Sequence, residues 1–189
     1  MVSSVDEIKK IYFNKFSDCI SNFSNCSYND AGTKPLVAST KPCFNFDLIK
    51  EIMFLGRTSV CSVDSIAFDI GNDTILFIEF KDSKFKACKE NFIQSAQDSF
   101  LTHRLIVSFF GEESLNKVRR KCILVLDETK NSSFITSYYA SKRSNKLDEN
   151  LAYLSLKRKL LDTNFFDVSF YDEIEICTQS NFDEIVKKI

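Results

Sequence analysis

Apolar positions recur at helical spacing near the start of the chain, where Val5, Ile8, Ile11, Tyr12 and Phe16 fall on one side of a 3.6-residue turn. Ser4 before them and Glu7 three residues on form a capping-box pattern, so the chain is expected to open on a helix. Residues 17–45 are rich in Ser, Asn and Thr, hold both prolines, Pro35 and Pro42, and sustain no period. They predict mostly loop, although a loop that long inside a compact domain suggests a short strand or helix within it. Residues 46–55 regain helical spacing through Phe46, Leu48, Ile49, Ile52 and Met53, with Gly56 as the stop. Two strand-like runs, 59–70 and 74–81, then flank Gly71-Asn72-Asp73, a triplet suited to an antiparallel turn.

Residues 87–110 place Phe92, Ile93, Ala96, Phe100, Leu101 and Leu105 on one stripe and predict the longest helix, with Gly111 beyond its end. The continuous apolar run from Cys122 to Leu126 fits a strand covered on both faces, and residues 134–139 are expected to form a strand beside it. Helical spacing returns over 147–161, alternation over 170–178, and 182–189 closes as a short amphipathic helix. This order predicts an α/β fold in one domain over residues 1–189, a mixed β-sheet flanked by helices. Residues 1–45 would be an N-terminal extension, 46–130 the core motif region and 131–189 the C-terminal strands and helices.

The second hairpin strand carries the chemistry. A two-residue period puts Ile75, Phe77, Glu79 and Lys81 on one face and Leu76, Ile78 and Phe80 on the other. A carboxylate and an ammonium at the end of an apolar strand are costly to bury unless paired or holding a metal. Where Asp64 points depends on the turn. A loop of Gly71-Asn72 sets Asp64 opposite Glu79, a loop of Asn72-Asp73 sets it opposite Lys81, and a three-residue loop turns it to the wrong face. The chemistry therefore expects an even loop or a bulge. Two carboxylates from neighbouring strands make a hard-oxygen site suited to Mg²⁺ or Mn²⁺.

Composition narrows the partners. The 19 Phe without Trp mark a Phe-rich core, and 189 residues suffice to bury it. Seven cysteines without a C-x-x-C pair predict buried free thiols in a reducing compartment. Neither a leader-like start nor a membrane-length apolar run is present, so a cytoplasmic protein without membrane association is expected. The formal charge of −1 confines any nucleic-acid contact to local basic clusters, for example Lys81, Lys84, Lys86 and Lys89. Four glycines and no Gly-rich phosphate loop argue against nucleotide triphosphate hydrolysis. His103, the single histidine, excludes a multi-histidine metal site and is expected on a helix surface.

Val63-Asp64, fourteen intervening residues and then Glu79-Phe80-Lys81, set between two helical segments, resemble the PD-(D/E)XK nuclease superfamily. Gly56-Arg57-Thr58-Ser59 and the segments around both motifs are similar to its restriction-endonuclease-like and Holliday-junction-resolvase-like branch. The resemblance covers roughly residues 46–110, and valine stands where many members have proline before the aspartate. It implies an αβββαβ core, a metal held by Asp64, Glu79 and the carbonyl of Phe80, and Lys81 as the catalytic lysine. The family's extra glutamate on its first core helix would fall best on Glu51, with Glu7 as the second candidate.

Gln97, on the stripe Gln94, Gln97, Leu101 and Arg104, is the glutamine of the long helix that could face the substrate, beside Arg57 and Lys84. A second acid-x-lysine match, Glu128-Thr129-Lys130, lacks a hairpin with an upstream aspartate. The resemblance thus implies a metal-dependent nuclease hydrolysing DNA phosphodiester bonds in defence, restriction, repair or mobile-element processing. It would act as a homodimer or within a larger complex. The rival is an inactive binding or assembly module of the same fold. A cap-snatching type of RNA endonuclease ranks third, because its accessory histidine would have to be His103, after the motif.

Overall fold

The computed structural model describes residues 4–28, 33–56, 60–111, 118–165, 168–187 and 189. Helix α1 (Ser4–Lys15) leads through a 3₁₀ turn at Ser17–Cys19 into strand β1 (Ile20–Asn22), helix α2 (Phe23–Cys26) and strand β2 (Pro42–Asn45). The Ser/Asn-rich stretch expected to be mostly loop therefore supplies two strands of the sheet. Their pairing with neighbours holds them, Ile20 opposite Phe44 and Phe44 opposite Ile66, which no local pattern displays. Helix α3 (Phe46–Met53) is capped by the side chain of Asn45, which accepts from Leu48 N, and ends near Gly56 at φ 74°.

The hairpin follows as β3 (Ser65–Asp69) and β4 (Thr74–Lys81), β3 being shorter than the apolar run that predicted it. Helix α4 (Phe85–Phe110) crosses over to β5 (Arg119–Leu126). Helix α5 (Glu128–Arg143), a 3₁₀ turn at Leu147–Glu149 and helix α6 (Leu151–Leu160) come next. A small hairpin of β6 (Asn164–Phe165) and β7 (Val168–Ser169), strand β8 (Glu173–Thr178) and helix α7 (Gln179–Val186) complete the order. The strand expected over residues 134–139 is instead the middle of α5. Buried Asn131, Ile135 and Tyr138 recur there at helical spacing, and Asp127 caps the helix start by accepting from Lys130 N. The aromatic and β-branched content that suggested a strand is packed helix surface.

The fold is α/β: a six-stranded mixed sheet in the order β1-β2-β3-β4-β5-β8, antiparallel from β1 to β4 and parallel from β4 to β8. Strand alternation divides its side chains between two cores. Ile75 and Phe77 of β4 join Cys122, Leu124 and Leu126 of β5 in a core roofed by α1, α3, α4, α5 and α6. Leu76, Ile78 and Phe80 join Ile123 and Val125 in a smaller core under α2 and α7. Among the described residues no helix is long and apolar enough to cross a membrane.

The hairpin turn also anchors α1. Asp73 adopts φ 47°, a left-handed conformation that Asp and Asn tolerate better than most residues, and its Oδ1 accepts from Val5 N at 3.2 Å. Asp73→Ala should lower stability by about 1–2 kcal/mol through the lost cap, whereas Asp73→Asn should retain most of it. Urea denaturation of the three proteins checks the order.

Candidate active site

The β3–β4 ladder pairs Ser65 with Ile78, Ile66 with Phe77, Ala67 with Leu76, Phe68 with Ile75 and Asp69 with Thr74. The connection from Ile70 to Asp73 has even length, and Asp73 N donates to Ile70 O across it. Counting outward, this register sets Asp64 level with Glu79, the first of the arrangements the sequence allowed. The approach to Asp64 is pinned to α4, where Cys61 N donates to Asp98 Oδ2 and Val63 N to Ser99 Oγ. On the other side Phe46 N donates to Asp64 O. The Asp64 side chain then reaches across the end of the hairpin, accepting from Phe80 N at 2.6 Å.

Glu79, 1% exposed, points to the α4 side of the sheet and accepts from Lys81 Nζ at 2.7 Å through Oε1. Its Oε2 is buried without a hydrogen-bond partner. Such an oxygen carries an uncompensated desolvation cost. Burial and the neighbouring Glu79 carboxylate hold the half-buried Asp64 well above the usual carboxylate range. Burial likewise pushes Glu79 up to about 7, although Lys81 pulls the other way. For Lys81, burial favours the neutral amine, but Glu79 and Asp64 outweigh it and raise the ammonium above its ordinary value.

Asp64, Phe80 and Lys81 open onto a cleft of about 370 Å³ at the carboxyl ends of the parallel strands β4 and β5. Asp127 N bonds to Lys81 O there, joining the two strand ends. The cleft walls come from four places: Ser83, Cys88 and Asn91 at the start of α4, Asp127 and Lys130 at the start of α5, Gln179 of α7, and Tyr28, Lys34 and Leu36 from the segment after α2. Asn131 locks the floor in place. Its amide donates to Ser83 O and Asp127 O, and its Oδ1 accepts from Phe85 N at the head of α4. Asn131→Ala leaves that buried N–H and both carbonyls without these bonds and should cost about 1–3 kcal/mol, measurable by chemical denaturation.

The donor set fits a hard divalent cation. Two carboxylates with raised proton affinity and one unpartnered buried oxygen are what a cation would relieve. In a strand the N–H and C=O of one residue face the same neighbour. Phe80, whose N–H meets Asp64, thus turns its carbonyl to the same side. Among the described residues no cluster of three or more His, Cys, Asp or Glu side chains is disposed to ligate a metal.

The other expected residues divide. Glu51 is exposed on α3, outside the cleft lining, and its charge acts on Cys19. Asp47, one turn earlier, is the helix acid whose charge raises both Asp64 and Glu79; it is held by Lys50 at 3.3 Å and by the Ser62 hydroxyl. Sequence reasoning passed over Asp47 as a helix-start residue, although i,i+4 spacing places it on the same face as Glu51. Glu7 is exposed on α1. Gln97 donates to Lys159 O of α6 at 3.2 Å, and Asn91 of the same helix lines the cleft instead. Lys84 is exposed next to Ser83, and Arg57 lies outside the described residues. Lys130 of the second acid-x-lysine match borders the same cleft. His103 is not a surface residue: it is 2% exposed, bonds Tyr12 Oη through Nδ1 at 2.9 Å, and burial pushes it down to about 3.

No protein-family model, curated protein or solved structure matches the chain.

Proposed function

We propose that the chain is a divalent-metal-dependent nuclease of the PD-(D/E)XK kind that hydrolyses DNA phosphodiester bonds. One observation carries the reading. The hairpin register sets Asp64 level with Glu79, Lys81 pairs with the buried Glu79, and Asp64 and Lys81 border an open cleft although burying such charges is costly. A chain that only bound or assembled would gain nothing from keeping that arrangement. The order of elements supports the same reading. Antiparallel β3 and β4, then α4 and the parallel β5, correspond to part of the αβββαβ core, while the remaining antiparallel strand, β2, precedes α3 instead of following it.

Asp64, Glu79 and the Phe80 carbonyl would hold Mg²⁺ or Mn²⁺, which when bound would supply an activated water and neutralise charge on the phosphodiester. Lys81, whose Nζ lies 2.7 Å from Glu79 at the edge of the cleft, would orient the attacking water and stabilise developing negative charge. Asn91, Lys130 and Lys34 lie on the cleft where the strand backbone would pass. With a net charge of −1, a second copy or a larger complex supplies the remaining hold on the nucleic acid. The free state of all seven cysteines fits a reducing, cytoplasmic setting.

The test is to incubate purified protein with linear, circular, branched and single-stranded DNA and with RNA, in Mg²⁺, Mn²⁺ or EDTA, beside Lys81→Ala. Metal-dependent DNA cleavage that Lys81→Ala removes is expected. Cleavage that survives Lys81→Ala contradicts the assigned site, and no metal-dependent cleavage of any substrate favours the binding module. Cleavage of RNA alone moves the protein to the RNA endonuclease reading.

A further inference from the structure

Cys26, at the end of α2, and Cys43, in β2, meet with their sulfurs 3.7 Å apart. Both are buried, Cys26 at 9% and Cys43 at 4% exposure, and both are free thiols. The contact joins two parts of the molecule that flank the cleft. Ser27 and Tyr28, directly after Cys26, line its rim. Two residues beyond Cys43, Asn45 caps α3 and pairs with Ser65, the neighbour of Asp64.

We propose that Cys26 and Cys43 are a redox pair which a peroxide closes into a reversible disulfide, tying the cleft rim to β2. The two sulfurs are already in van der Waals contact, and bond formation closes the gap to about 2 Å. The closure would be taken up by α2, a four-residue helix that follows the edge strand β1. Cys26 is the more exposed of the two, so it meets the oxidant first and is the nucleophile, with Cys43 the resolving thiol.

The chemistry balances with hydrogen peroxide as oxidant. The Cys26 thiolate attacks one peroxide oxygen, the O–O bond breaks, and a sulfenic acid forms with release of one water once the leaving hydroxide takes a proton. The Cys43 sulfur then attacks the Cys26 sulfur, the S–O bond breaks, and the hydroxyl leaves with the Cys43 proton as a second water. Two thiols have lost two electrons and two protons to one peroxide, and thiol reductants reverse the bridge.

The inference stands apart from the nuclease reading, and its readout needs no cleavage. The full chain is treated with hydrogen peroxide, denatured in urea with iodoacetamide, and digested by chymotrypsin without reductant. Cuts after Phe23, Tyr28, Leu36 and Phe44 separate the two cysteines into peptides 24–28 and 37–44. The expected product is one species joining these peptides, lost on reduction and absent from Cys43→Ser. Exposed Cys61 reports that oxidant reached the protein. Cys61 oxidised while Cys26 and Cys43 remain fully alkylated would overturn the proposal, as would Cys26 bridged chiefly to Cys19 or Cys61. Because the linked peptide is read in the wild-type chain, a poorly folding Cys43→Ser leaves the test intact.

Discussion

Asp64→Asn should abolish cleavage and at the same time make the metal-free protein more stable. The asparagine oxygen can still accept from Phe80 N, so the end of the hairpin keeps its geometry. What disappears is a carboxylate that burial and Glu79 hold well above its ordinary range. At pH 8 the wild-type chain bears that cost, and the neutral amide does not. The gain should be resolvable at alkaline pH. It should shrink as pH falls and Asp64 takes up its own proton. On the proposed nuclease reading, cleavage should fall by on the order of a hundredfold or more, because a metal ligand and its charge would be lost where the transition state needs them. Rate assays in Mn²⁺ and chemical denaturation in EDTA measure the two halves. Opposite signs for stability and activity mark a functional site, since a purely structural acid would lose on both counts.

The second large effect is a stability that declines with pH because of Glu79. Its carboxyl titrates near 7 in the folded chain and near 4.5 when unfolded. Between those values the folded state holds a proton that the unfolded state has released, so by linkage this contribution falls as pH rises. It is fully lost above pH 7 and amounts to about 3 kcal/mol. His103 works in the opposite direction between about 3 and 6.5, because its folded form stays neutral. The clean quantity is therefore the stability of wild type minus that of Glu79→Gln, in EDTA, from pH 4.5 to 8. It should fall across the window, and Mg²⁺ should recover part of it at the alkaline end, where the cation replaces the proton. A flat difference would mean that Glu79 is not the buried, proton-hungry acid described above.

Much of this was legible in the sequence, and unevenly so. Strong periods gave α4, and the unbroken apolar run gave β5, because burial on one stripe or on both faces leaves its mark on every residue. The register of Asp64 against Glu79 was reachable by counting through the turn once its length was allowed to be even. Strands β1 and β2 were hidden because each is only a few residues long and is held by its neighbours. Residues 134–139 misled because their aromatic and β-branched side chains are chosen for packing, and α5 satisfies that need equally well. Asp47 was passed over for Glu51 because the sequence shows that both lie on one helix but not which turn faces the hairpin. The Cys26–Cys43 contact, seventeen positions apart across an irregular segment, left no local signal.

The claim beneath the whole account is that Asp64 and Glu79 together hold a divalent cation, and Mn²⁺ binding measures it directly. Titration at pH 7.5, followed by electron paramagnetic resonance of free Mn²⁺, should show one site in the wild-type chain. The affinity should drop at least about tenfold in Asp64→Asn and in Glu79→Gln, while Glu51→Gln binds as the wild type does. Equal Mn²⁺ affinity in wild type, Asp64→Asn and Glu79→Gln would contradict it.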